Sequence, residues 1–189
     1  MVPSHSSRVL RDQALQVMLS EHGRAIVPLV EGDTSMLPLL RGGDAILAVP
    51  LAVPPRPGDL LLYTQQDYWV VHRCLGPAGP GRGLRTRGDG SNALDPRVAT
   101  ERVRARATAL RREGSWRSLE SGPARAFAMA MAWHDLFWAA AGIVARKAGL
   151  SAAIAAVDHG ILRLLVPVLF PLCHRRIARP MAPGSDGAV

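Results

Sequence analysis

"RGGDAILAVPLAVPPRPGDLLLYTQQDYWVVHRCLG", Arg41 to Gly76, holds three short apolar runs (AILAVPL, DLLLYT and YWVVHRCL) set apart by Gly-Asp and proline clusters. Each run is too short for a stable helix, is rich in β-branched, leucine and aromatic residues, and ends at turn formers, so each predicts a β-strand. The pattern continues outward. "AIVPLV" at Ala25 to Val30 is a further short run, and "VRARATALRR" at Val103 to Arg112 is another. "RREGSWRSL" predicts a hairpin that turns at Glu113-Gly114. Residues 25–119 therefore form one mainly β domain.

The flanks differ in kind. Val9 to His22 carries Val9, Leu10, Ala14, Val17 and Met18 at helical spacing ahead of Gly23, which predicts a short amphipathic helix in an N-terminal segment, 1–24. After Gly122-Pro123 the chain turns alanine- and leucine-rich. "ARAFAMAMAWHDLFWAAAGIVARKAG" and "LSAAIAAVDHGILRLLVPVLFPLCHRR" predict an apolar helical pair over 124–176, kinked at Pro167 and Pro171. The tail 177–189 is expected to be disordered. "GPAGPGRG", Gly76 to Gly83, is expected to be a flexible surface loop.

The 189 residues are 48% hydrophobic and only 20% charged, which supports a real core and excludes wholesale disorder. The net charge of +8, carried almost wholly by arginine, suits an anionic neighbour such as a membrane surface. No nucleic-acid-reading motif accompanies it, so no nucleic-acid partner is expected. Cys74 and Cys173 lack metal-ligand spacing, and no metal or cofactor is expected. The His134-Asp135 and Asp158-His159 neighbours point about 100° apart on a helix and suit polar helix positions better than a metal site. Arg11, Asp12, Gln13 and Gln16 interrupt the N-terminal stretch, so neither a secretory signal nor an N-terminal anchor is expected, and the domain is expected in the cytoplasm.

The chemistry begins at "GDTSMLPLLRGGD", Gly32 to Asp44, which presents one serine between an acidic turn and a Met-x-Pro. A serine hydroxyl is a poor nucleophile unless a base takes its proton. His72, in an aromatic and β-branched strand, is the natural base. A histidine base needs a carboxylate to fix its tautomer, and Asp89 and Asp95 in "RTRGDGSNALDP" are both available.

In this order the stretches resemble the signal peptidase family, in its serine–histidine branch. "TSMLPLLRGGDAIL" resembles the serine box, "RPGDLLLY" the next Gly-Asp box, "VVHR" the histidine box and "TRGDGSNALDP" the final Gly-Asp box. The resemblance spans about Val30 to Arg106. It implies a signal-peptidase or repressor-peptidase-like β-barrel fold and a hydrolase that cuts a peptide bound in extended form after small side chains. Ser35 would be the nucleophile, His72 the general base and Asp95 the orienting acid, with Asp89 as the alternative. Thr34, Met36 and Pro38 would shape the oxyanion turn and substrate groove, and the Ser35 amide would donate to the oxyanion. Three departures stand out. Asp33 occupies the position two before the serine, where the family often has a hydroxyl donor. Ser91-Asn92 replaces an asparagine pair. No anchor is expected ahead of the serine box, where the family carries one. The soluble repressor-type peptidases share the fold but use a lysine base, and the first lysine here is Lys147.

The expectation is a serine endopeptidase acting on a peptide or protein precursor. It would work at the cytoplasmic membrane face, with the C-terminal helices lying in the membrane surface or packed on the β domain. Charges inside the helical pair disfavour a span, at about 2.5–3.5 kcal/mol each. Two alternatives stand beside it: a secretory signal peptidase with a C-terminal anchor, and a catalytically silent peptide-binding module. "ARAFAMAMA" also matches an Ala-x-Ala cleavage pattern, which an alanine-rich helix explains equally well.

Overall fold

In the computed structural model, the described residues are 5–65, 68–91, 93–147, 165–166, 168–174 and 176–177. Helix α1 (His5–His22) leads into a mainly antiparallel β structure: β1 (Ala25–Pro28), β2 (Ala45–Pro50), β3 (Leu60–Gln65), β4 (Tyr68–Pro77), β5 (Leu84–Arg87), β6 (Val103–Arg112) and β7 (Ser115–Ser118). Helix α2 (Gly122–Lys147) follows, and a two-residue strand β8 (Arg176–Ile177) closes the sequence of elements. Strand order is β1-β2-β6-β3-β4-β5, with β7 added to β6 and β8 to β7. No pairing joins β1 to β5 among the described residues. The mainly β class holds, and the expected barrel is not closed.

Position in the sheet explains the sequence patterns. β3 lies between β4 and β6, which pair both its edges, and Leu60, Leu61, Leu62 and Tyr63 are all buried, so both its faces are covered as well. That is why this strand reads as an unbroken apolar run. β6 buries Val103, Ala105, Ala107 and Ala109 and turns the intervening residues outward, the alternation of a strand with one covered face. Glu113 and Gly114 both take positive φ, 50° and 75°, as a two-residue hairpin between twisted strands requires.

The largest core cluster joins Met36, Leu39, Leu40, Ile46, Leu60 and Leu110 to Phe127 and Met131 of α2 and to Val166 and Phe170. α2 packs so closely that a Cβ on Gly58 would lie 2.8 Å from the Ala128 backbone. Gly58 (φ 93°) therefore both turns the chain and admits the helix.

Two expectations are corrected. The Gly76–Gly83 stretch is not loose at its base: Gly76 and Ala78 are buried, and the Ala78 amide donates to Gly83 O at 2.9 Å. Arg176, expected to close the helical pair, and Ile177, expected to open the disordered tail, form β8, where Ile177 pairs with Trp116. Pro167, Asp158, His159 and the tail 178–189 lie outside the described residues.

Candidate active site

The alternation of β4 divides the polar residues into two groups. His72 and Arg73 are consecutive, so they face opposite sides of the sheet. On the His72 side, β3 brings Tyr63 and β5 brings Thr86, which sits opposite Cys74. His72 Nδ1 lies 2.7 Å from Asp95 Oδ2. Asp95 is in a loop, but its amide donates to Thr86 O at 3.0 Å, which pins it beside β5.

Burial pushes the Asp95 carboxyl up. The hydrogen bond and charge of His72, with the bonds from Thr86 and Tyr63, outweigh that and hold it below the usual carboxylate range. Asp95 is thus an acceptor, so the proton between them sits on His72 Nδ1, and in a neutral ring that tautomer makes Nε2 the acceptor. That Nε2 is buried and makes no hydrogen bond among the described residues.

The glycines of "RGDG" bring the Ser35 backbone near this nitrogen, although no hydrogen bond joins the Ser35 hydroxyl to it. A Cβ on Gly88 would lie 2.4 Å from the Ser35 carbonyl oxygen and 2.9 Å from His72 Nε2. A Cβ on Gly90 would lie 2.4 Å from Thr34 O. Both positions must be glycine for the serine turn to lie flat on the aspartate loop, and the Gly90 amide then donates to Ser35 O at 2.8 Å. The Ser35 amide itself donates to Asp33 Oδ1 at 2.8 Å.

Asp89 belongs to the other face. Both its oxygens accept from Arg73, at 2.9 and 2.7 Å, and both side chains are buried. Burial pushes the Asp89 carboxyl up against the pull of that guanidinium. Asp95, and not Asp89, therefore bonds His72. Beside this pair, Arg87 meets Asp135 of α2 at 3.3 Å, with Asp135 fully buried. Asp135 thus ties α2 to the strand that leads into the Gly88-Asp89 turn. Sequence reading missed that role, as it missed Tyr63. Helix position 135 inside an otherwise alanine-rich stretch was the only signal.

Two other Gly-Asp steps follow one rule, while Asp33 instead accepts the Ser35 amide. Asp44 Oδ2 accepts the Arg41 amide at 2.9 Å and pairs with Arg112, while Asp59 Oδ2 accepts the Arg56 amide at 2.8 Å and pairs with Arg125.

Beside the serine turn lies a groove of about 480 Å³ lined chiefly by apolar side chains, including Leu15 and Met18 of α1, Met36, Leu62, Trp69 and Val71; Asp33 also lines it. Strand β1, terminal in the sheet, forms one wall through Ile26 to Pro28. Met36 lines this groove. Pro38 instead borders a separate cavity with Arg112 and Phe170, and Thr34 is exposed, its carbonyl accepting the Leu37 amide at 3.2 Å. Cys74, two residues past His72, is buried in the cluster of Leu61, Tyr63, Leu84 and Val103, where burial pushes its thiol up to about 11.

Among the described residues, no three His, Cys, Asp or Glu side chains converge as a metal site would require. No protein-family model, curated protein or solved structure matches the chain.

Proposed function

We propose that the protein is a serine endopeptidase in which Ser35 attacks, His72 takes its proton and Asp95 orients the imidazole. The reading is supported most by one observation: a buried His72 whose Nδ1 is held by Asp95 at 2.7 Å while Nε2, unpartnered among the described residues, adjoins the Ser35 turn. A histidine held this way is ready to accept a hydroxyl proton, and such contacts commonly tighten only when substrate is bound. The substrate would be a peptide or protein precursor lying extended along β1, with side chains in the apolar groove and main-chain bonds to the free strand edge. A signal-peptidase-like β fold, with its sheet open between β1 and β5 among the described residues, is the fold that this reading carries with it.

The C-terminal helices would keep the enzyme at a membrane surface. α2 exposes Met129, Trp133 and Phe137 at four-residue spacing, and Val168 and Leu172 are exposed further on. An outward apolar stripe with aromatic rings suits the interfacial region of a bilayer. No described helix is long and apolar enough to cross a membrane.

A second reading, peptide binding without turnover, draws on Asp33. A carboxylate on the Ser35 amide occupies the donor that an oxyanion would need. Mass spectrometry of a broad peptide library incubated with wild type and with Ser35→Ala separates the two. Cuts made by wild type alone support the peptidase. Equal peptide capture by both proteins, with no cuts in either, would replace it with the binding module.

A further inference from the structure

Resting on the Ser35–His72–Asp95 reading, we infer that Tyr63 is a positioning residue for the reaction: its hydroxyl, backed by Thr86, fixes the Asp95 carboxylate that orients His72. Tyr63 is fully buried on β3, packed edge-on to the His72 ring with centroids 6.2 Å apart. Its hydroxyl donates to Asp95 Oδ2 at 3.0 Å, lies 3.0 Å from Thr86 Oγ1, and is 3.3 Å from His72 Nδ1. A phenol has one proton. With that proton on Asp95, the Tyr63 oxygen is left to accept, and the single proton of the Thr86 hydroxyl serves the same polar cluster of Tyr63 and Asp95.

The geometry gives this cluster a task. Asp95 sits in a loop, and a carboxylate rotates easily about its last bond. Oδ2 receives both His72 and Tyr63, so the tyrosine sets the plane in which the imidazole must lie. Burial pushes the phenol well above its usual value; Thr86 pulls the other way and Asp95 adds to the rise. Tyr63 therefore stays protonated, and a donor, across the neutral pH range. Mere satisfaction of a buried hydroxyl would need only Thr86. Sharing the oxygen that holds His72 ties Tyr63 to the chemistry. It also tempers that oxygen: a donor on Asp95 spreads its negative charge and weakens its pull on the imidazolium proton.

Tyr63→Phe keeps the ring and removes the hydroxyl. Once a cleavable peptide is in hand, kcat is expected to fall about tenfold with KM little changed, a modest share of the usual acid–base contribution. The acid limb of the pH–rate profile should move to higher pH by roughly half to one unit, because Asp95 would hold the imidazolium proton more tightly. Thr86→Val should move it the same way by less. Proton NMR of the full chain supplies a readout independent of turnover: the His72 Nδ1–H resonance should be visible in wild type and should exchange faster in Tyr63→Phe. A structural role alone would lower thermal stability and leave the limb in place. Unchanged kcat, pH limb and resonance in folded Tyr63→Phe would overturn the proposal. Failure of the peptidase reading would appear differently, as no Ser35-dependent cleavage in wild type, with the NMR comparison still deciding whether Tyr63 holds Asp95.

Discussion

Asp33 Oδ1 accepts the amide proton of Ser35 at 2.8 Å, closing a small turn over the residue that carries the candidate nucleophile. The carboxylate shapes the loop, because a side-chain acceptor two residues back fixes the approach of the chain. It also sets a negative charge beside the place where an oxyanion would form, which opposes catalysis.

Asp33→Asn keeps the acceptor and removes the charge. Turnover of a cleavable peptide by this variant is expected to rise several-fold, with Asp33→Ser, which supplies a hydroxyl donor, rising at least as much. Steady-state rates at low and high salt check this, since the gain should shrink as salt screens the wild-type carboxylate. Equal or lower rates in both folded variants would mean that Asp33 contributes positively to the site.

The two aspartates of the final box should separate cleanly. Asp95→Ala is expected to stay folded and lose activity by several orders of magnitude, as the histidine loses its orienting partner. Asp89→Ala leaves Arg73 buried without its counter-ion and should cost about 3–5 kcal/mol of stability. Denaturant unfolding beside peptidase rates distinguishes them. A stable, inactive Asp89→Ala would reverse the assignment.

Acid should weaken the fold through His174. Burial lowers this histidine from 6.5 to about 4; the Phe170 carbonyl resists, and Arg73, Arg117 and Arg112 reinforce the fall. The folded state keeps it neutral, stacked on Phe170 with ring centroids 4.3 Å apart. Between about pH 6.5 and 4 the unfolded chain binds the proton and the folded chain does not, so stability falls as pH drops. At 1.36 kcal/mol per unit the loss is on the order of 3 kcal/mol. Chemical denaturation at pH 7 and pH 4.5 should show most of it in wild type and little in His174→Phe.

Native Cys74 should resist thiol reagents. It is fully buried and its thiol is raised to about 11, so almost no thiolate exists at neutral pH. Iodoacetamide labelling read by mass spectrometry should leave it unmodified until denaturant is added. Rapid labelling in the folded protein would mean that the His72 strand opens.

The strands were legible because turn residues bracket them and because β6 alternates visibly in Val-Arg-Ala-Arg-Ala. That His72 meets Asp95, with the Ser35 backbone close by, was suggested only by the order of four short boxes; no spacing in the chain states that Asp95 and not Asp89 meets His72. What decides between them is sheet facing: Arg73 turns away from His72 and draws Asp89 after it. Tyr63, Arg87 and Asp135 stayed hidden for a related reason. Each looks like an ordinary strand or helix residue until a partner 32 or 48 positions away is placed against it. Arginine, read as a sign of an anionic neighbour, has a second use here: Arg73, Arg87, Arg112 and Arg125 serve as internal counter-ions.

Strand β8 changes the mechanics of the C-terminal half. The chain leaves the sheet after β7, runs through α2, and returns to β7 at Trp116 and Arg117. The chain between β7 and β8 is therefore stitched to the sheet at both its ends. A pull on it would load two seams of the same sheet. Cutting the chain after Lys147 would also unstitch β7, baring a new strand edge for self-association.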